Sequence, residues 1–464
     1  MRKLMLCAAL AALGGRAPNA LAAPDDDIRK EFDEFRRHAA EVERQYQQRI
    51  SDLEKRVAER PPAKPSDLEA QIDGLLDRID LIDSKVASAR PSAGSGRAAY
   101  IDVALNALFT AGSSTAPEAI LDALQGGGHD PKKRGFTVQN TELVLSGAVD
   151  PYFRGQMNLI HQITSEGETL TELEEAFAVT TSLPAGLQIK AGQYFTEFGR
   201  LNPQHPHQWE FVDQPVVNSR FFGGDGMRGP GARVSWLAPT SFPLEMTLGA
   251  QNANGETMVS FLGTREEEPP FGVHVDRSVA SWNDLVASAR AAASFDLTDE
   301  MPLLIGTSGA LGPSGASSNA STSIVGADIT LKWKPLANDR GFPFVAFQTE
   351  WMRRHAGYDS FVDGTTFVPG GELQDSGEYA QIVYGFQRDW TAGLRYDRIQ
   401  GTDDDVFGRD DRTRWSAAIT YYTSEFAKIR LQMNLDDSAA LDRRVASLWL
   451  QLEFNLGAHG AHKF

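Results

Sequence analysis

The 464-residue chain has almost no cysteine: its single thiol, Cys7, lies at the very start. The chain beyond Cys7 therefore holds no disulfide framework and no thiolate metal cluster. No apolar run reaches about 18 residues, which excludes a transmembrane helix. It does not exclude a membrane barrel, whose strands turn half their residues toward a polar lumen. Bases are scarce relative to acids, 45 Lys and Arg against 62 Asp and Glu, for a net charge of −17. That balance speaks against nucleic acid as a partner, since phosphate binding needs a positive footprint.

Catalytic signatures are missing too. No GxSxG marks a nucleophile elbow, and GGDGMRGPG lacks the G-K-[ST] ending of a phosphate loop. A barrel lipase needs a Ser–His pair at the lipid rim, and His161 is the one histidine the pattern turns outward. We expect no enzyme and no cofactor.

The chain opens with a leader. Residues 1–23 carry a basic start, a short apolar run and small residues at Ala20 and Ala22, which read as a signal peptide. Residues 26–87 have a helical period, with Ile28, Phe32, Phe35, Ala39 and Val42 stepping by four and three and a Pro-rich joint at PPAKP. This is a coiled-coil seam placed in the periplasm, and such a seam implies self-association or docking. Residues 88–97, SARPSAGSGR, form a flexible linker.

From 98 to 464 the period switches to two. In YYTSEFAKIRLQMNL, Ile429, Leu431, Met433 and Leu435 alternate with Lys428, Arg430, Gln432 and Asn434. Strands are expected at 98–109, 136–149, 152–164, 170–182, 186–198, 228–238, 241–252, 285–297, 300–309, 323–336, 341–353, 376–389, 391–400, 412–423, 425–435 and 443–457. Gaps alternate between tight turns, such as VDPY and TSEF, and longer loops. The fold class is all-β, a transmembrane antiparallel β-barrel of about 16 strands (about 14 is the alternative count) preceded by the α-helical coiled coil. Closure pairs every backbone group within the hydrocarbon. Trp236, Trp333, Trp351, Trp390, Tyr421, Tyr422 and Trp449 are assigned to interfacial girdles.

The stretch SLPAGLQIKAGQYFTEFGRLNPQHPHQWEFVDQP resembles phosphate-selective porins, through Gly192, Gln193, Tyr194 and Phe195 together with Phe198 and Gly199. Thr196 and Glu197 stand where that group carries lysine and proline. RFFGGDGMRGPGARVSWLAP, KWKPLANDRGFPFVAFQTEW, YAQIVYGFQRDWTAGLRYD and FNLGAHGAHKF are similar to an outer-membrane family often labelled zinc-regulated TonB-dependent receptors. Such receptors have more strands and an N-terminal plug, here replaced by the coiled coil. The porin resemblance implies a homotrimer.

The expected function is a porin: a water-filled channel for small solutes in a Gram-negative outer membrane, with anion preference and unselective or cation-leaning conduction as the two readings of its lining. Candidate pore-lining residues are Arg154, Lys190, Arg233, Lys332, Lys334, Glu350, Arg395, Lys428 and Arg430. Rings of Lys and Arg attract anions, while Glu142, Asp328 and Asp397 also face inward. Segment 199–227 is the candidate constriction, with His205, His207, Arg220 and Asp225, and Arg228 just beyond. His205-Pro206-His207 offers two imidazoles, but without a further ligand frame no metal is assigned. His459 and His462 are read as a structural terminus. Expected partners are outer-membrane lipid and lipopolysaccharide, the barrel assembly machinery, and peptidoglycan for the stalk. The alternatives are a structural anchor and a metal-related uptake receptor.

Overall fold

The computed structural model describes residues 101–457, except 165–166, 265–273, 276, 364, 402–410, 439–440 and 442. The leader, coiled coil, linker, His459 and His462 lie outside the described residues.

Sixteen antiparallel strands close on themselves. The first eight are β1 (Ile101–Ser114), β2 (Gly135–Ala148), β3 (Phe153–Ile163), β4 (Thr169–Thr180), β5 (Leu187–Phe195), β6 (Arg228–Ala238), β7 (Leu244–Asn252) and β8 (Leu285–Thr298). Then come β9 (Met301–Pro313), β10 (Ser321–Trp333) and β11 (Phe344–Tyr358). A small hairpin, β12 (Phe361–Asp363) and β13 (Thr366–Val368), stands apart from the barrel sheet. The wall resumes with β14 (Gly371–Gln387), β15 (Trp390–Gln400), β16 (Arg412–Ser424), β17 (Ala427–Ser438) and β18 (Val445–Gly457). β1 closes the barrel against β18, Ala104 opposite Gly457 and Ser114 opposite Ser447. Every expected strand has its counterpart. On the long-loop side several run further than the pattern showed: β11 to Tyr358, β9 to Pro313, and β14 begins at Gly371.

The faces separate as the alternation requires. On β17, Ile429 and Leu431 are 39% and 42% exposed, whereas Arg430 is 1% exposed. An apolar outer face suits lipid, and the pleat then sends every other residue into the lumen. Trp236, Trp351 and Tyr421 lie on the outside, with Tyr421 stacked on Trp390 at 4.7 Å between centroids. Trp449 corrects the girdle assignment. It is fully buried on the inward face of β18, packed with Leu121, Leu124 and Val212. Its neighbours Leu448 and Leu450 point outward, so the strict period forces Trp449 in.

Two β-bulges break that period where the lumen needs it. Between β3 and β4, Asn158 pairs with Glu175 and Leu159 with Leu173, which leaves Glu174 as the extra residue. Glu174 and Glu175 consequently both turn inward and both are buried. Between β1 and β2 the register shifts at Leu108/Phe109, and Gln139 and Asn140 are likewise both buried.

Candidate functional site

Two connections carry short helices. In the β1–β2 connection it is α1 (Glu118–Leu124). The β5–β6 connection, residues 196–227, crosses the lumen and contains a 3-10 turn, Pro206–Gln208, and α2 (Val216–Phe222).

This lumenal segment is held at several points along the wall between β11 and β17. At one side its backbone N–H groups at Arg200 and Leu201 donate to Glu350 of β11, both at 2.9 Å. At the other, Asp213 accepts from Arg395 at 2.8 Å and Arg414 at 3.1 Å, and from Gln432 at 2.8 Å. Asp397 accepts from the Val216 N–H at 3.0 Å, at the start of α2. Arg430 donates to the Trp209 carbonyl at 2.9 Å, and Lys428 to the His207 carbonyl at 3.1 Å. Lys428 is also paired with Glu453 at 2.9 Å.

Apolar packing completes the fit. Phe198, Val217, Phe221 and Phe222 meet Met258 and Phe261 of the β7–β8 connection and Ile324, Met352 and Ile399 of the wall. Gly326 and Gly377 make the room: a Cβ on either would lie 2.8 Å from Phe198 or Val217 respectively. These contacts give the loop-side half of the lumen a hydrophobic core of its own.

The buried charges of the two connections are tuned by this arrangement. Burial would raise the Asp213 carboxyl, but Arg395 and Arg414 outweigh it and bring it down to about 2. Asp130, which accepts from the Gln214 N–H, is pushed up to about 6 by burial and by the charge of Asp213.

The turn-side half is different. Along β10 the inward residues Ile324, Gly326 and Asp328 are buried, Thr330 and Lys332 half-buried, and Lys334 beyond the strand exposed. β2, β5 and β11 grade the same way, through Glu142 to Ala148, Tyr194 to Gln188 and Glu350 to Phe344. On β14 and β16 burial persists nearly to the turns, where Phe211 packs on Val383 and Ala418. Water therefore enters eccentrically, against the β2–β11 wall.

All nine candidate lining residues have inward parity, yet they divide into two sets. Arg154 and Lys334 are exposed at the turn rim, Lys332 is half-buried, and Lys190, 13% exposed, lies largely covered. Arg233 is buried and shares Glu197 with Lys190, at 3.1 and 3.7 Å. Glu350, Arg395 and Arg430 do not face water, and Lys428 lies largely covered; this corrects their assignment as lining groups. The physical reason is the lumenal segment, whose carbonyls, amides and Asp213 occupy them. Among the constriction candidates, Arg220 reaches Asp375 at 3.1 Å, and Arg228 donates to the Asp225 carbonyl at 2.7 Å. His205 and His207 stack on one another and face Glu142, Glu174 and Glu175.

Sequence reasoning placed Asp213 within the constriction segment but not its ties to three wall strands, and it missed the acid cluster around His205. Asp213 belongs to a run without periodicity, and the cluster draws on residues far apart in the chain.

Fold and site together define a sixteen-stranded membrane-type barrel with an inward-folded connection anchored to several wall strands. No protein-family model matches the chain. It is 32% identical over 367 residues to an uncharacterized protein of Aquifex aeolicus (strain VF5), covering 73% of each. The chain belongs to the family of that protein. Solved structures similar to it include an anion-selective porin from Comamonas acidovorans (TM-score 0.49, 7% identity, 77% of this chain and 100% of the other). Pseudomonas putida OprB is another (TM-score 0.49, 11% identity, 77% of this chain and 94% of the other). The barrel assignment itself stands on the strand pairing.

Proposed function

We propose that the protein is a porin-type channel of a Gram-negative outer membrane, narrowed by the 196–227 segment and passing small solutes with a preference for anions. One observation carries the reading: the turn-side half of the lumen is the more open, and Arg154, Lys332 and Lys334 stand there. A partly desolvated wall with an excess of bases favours anions over cations. The purified full-length protein should form stable, small channels in planar bilayers, and a salt gradient should give an anion-selective reversal potential. Silent insertion across the voltage and salt range would sink the channel reading. A cation-selective reversal would sink the preference.

The apolar core of the loop-side half favours a second reading, a barrel that conducts only when its segment is displaced. The two separate on one variant: Asp213→Ala opens a silent barrel, but only enlarges a channel that already conducts. A trimer fits the porin reading, and sedimentation of the detergent-solubilised full chain tests it. The zinc-receptor label draws no support from the barrel, whose lumen is filled by its own β5–β6 connection.

A further inference from the structure

Several buried carboxylates of the lumen meet arginine. Asp213 faces Arg395 and Arg414, Asp328 faces Arg290, Asp375 faces Arg354, and Asp436 faces Arg414. One corner obeys another rule. Glu142 of β2, wholly buried, is met by the imidazoles of His205 and His207 and the amides of Asn106 and Asn158. Glu174 of β4, also wholly buried, is met by His205 and by His129 of the β1–β2 connection, with Arg228 Nη1 further off at 3.9 Å.

The geometry is that of convergent ligands. His205 Nδ1 lies 2.7 Å from Glu174 Oε2 and 3.1 Å from Glu142 Oε1. His207 Nδ1 lies 2.9 Å from the other Glu142 oxygen. One donor atom from each of Glu142, Glu174 and His205 falls within 4.8 Å of the others. The second nitrogen of His205, Nε2, is 3.0 Å from Glu175 Oε2. A carboxylate on the far ring nitrogen holds that nitrogen protonated and turns the Nδ1 lone pair toward Glu142 and Glu174. A lone pair facing two carboxylates is repulsive unless a positive centre sits between them.

A second, independent observation points the same way. Both Glu174 oxygens and both His129 ring nitrogens are buried without an aligned hydrogen-bond partner. Glu174 is the extra residue of the β3–β4 bulge, so the strand leaves its regular pleat to aim this carboxylate inward. A small void of about 20 Å³ touches His129, Glu174 and Asp225. A cavity of about 270 Å³ lined by Gly128, Asp130 and Gln139 shares Asp225 with it.

We propose that Glu142, Glu174 and His205 bind a divalent first-row transition ion, with His207 as a further ligand and Glu175 orienting His205. Mixed imidazole and carboxylate donors suit the borderline ions of the zinc and cobalt class rather than calcium, which takes oxygen alone. Because the ligands come from two wall strands and the lumenal segment, the ion fastens the segment to the β2–β4 wall. The site stands on its own geometry and does not depend on conduction.

The test uses the full chain without a polyhistidine tag, stripped by chelator in detergent and confirmed as a heat-resistant folded barrel. Equilibrium dialysis against Zn²⁺ should find one tightly held ion per chain. Co²⁺ should give visible absorption bands of nitrogen–oxygen coordination, abolished by added Zn²⁺. Glu142→Gln and His205→Asn should each remove the tight site, and Glu175→Gln should weaken it by about 10–100-fold. A folded wild type that shows no Co²⁺ band and retains no Zn²⁺ overturns the proposal, since protonated imidazoles then balance the carboxylates. The wild-type measurements decide the matter even if the variants fail to assemble. Undiminished binding in a folded Glu142→Gln barrel also overturns it.

Discussion

Asp328 and Lys332 stand four positions apart on the same face of β10, yet in different surroundings. Asp328 is buried against Arg290, while Lys332 is half-buried toward the turn side. The same division runs along β2, β5 and β11, packed beneath the long loops and more open above the short turns, whereas β14 and β16 stay packed nearly to their turns. Alternation decides which face a side chain takes, and the lumenal segment decides what that face meets. A base in the more open half acts on solutes. In the packed half a base acts on the segment.

Removing the segment erases the distinction and has the largest expected effect. Excision of 200–222, bridged by a short Gly-Ser linker, should raise single-channel conductance severalfold while heat-resistant barrel assembly persists. Unchanged conductance would show that the segment does not obstruct the path.

Asp213→Ala leaves Arg395 and Arg414 buried without their shared partner, a change on the order of 3–5 kcal/mol for a broken buried pair. The expected result is a segment cleaved readily by trypsin after Arg200 or Arg220, in a barrel that remains intact by gel mobility. Protection equal to wild type would mean that the apolar core alone holds the segment.

Charge reversal then sharpens the comparison. Lys332→Glu with Lys334→Glu should move the reversal potential toward cations with little change in conductance. Lys428→Glu with Arg430→Glu should instead raise conductance, because these bases hold the His207 and Trp209 carbonyls. Identical outcomes for the two pairs would abolish the division between the halves.

The smallest effect is a pH dependence of docking. Asp213 is lowered to about 2, so its contribution is complete above the unfolded value of about 3.9 and fades as pH falls through about 2. Asp130 is raised to about 6, so its contribution is complete below about 3.9 and fades as pH rises through about 6. Resistance of the segment to proteolysis should thus decline between about pH 4 and 7. Asp130→Asn should flatten that decline; a persistent slope would assign it to another group.

The sixteen strands, their faces and their short turns were legible because a lipid-facing row must be apolar at every second residue. Strand extensions at the loop side were not. RRHAGY at the end of β11 turns Arg353 and His355 outward and buries Arg354 against Asp375, so hydrophobicity no longer marks its pleat. Lys428 and Arg430 could be placed inward, but not on protein rather than water, because their partners are main-chain carbonyls 221 residues away in sequence. Inward glycines such as Gly326 and Gly377 were the available hint: a wall that gives up side chains makes space for something else. The cluster at His205 stayed hidden for another reason. Its acids lie on β2 and β4, and one of them faces inward only because a bulge reverses its parity.

The obstruction in this lumen is spliced at both ends into adjacent wall strands, β5 and β6, which pair along their whole length from Leu187 opposite Trp236 to Phe195 opposite Arg228. It cannot be expelled like a stopper; it can only swing. Reclosure is intramolecular, driven by an effective concentration that dilution in the membrane does not change. Any open state is therefore in competition with a captive ligand that never leaves the mouth of its own receptor.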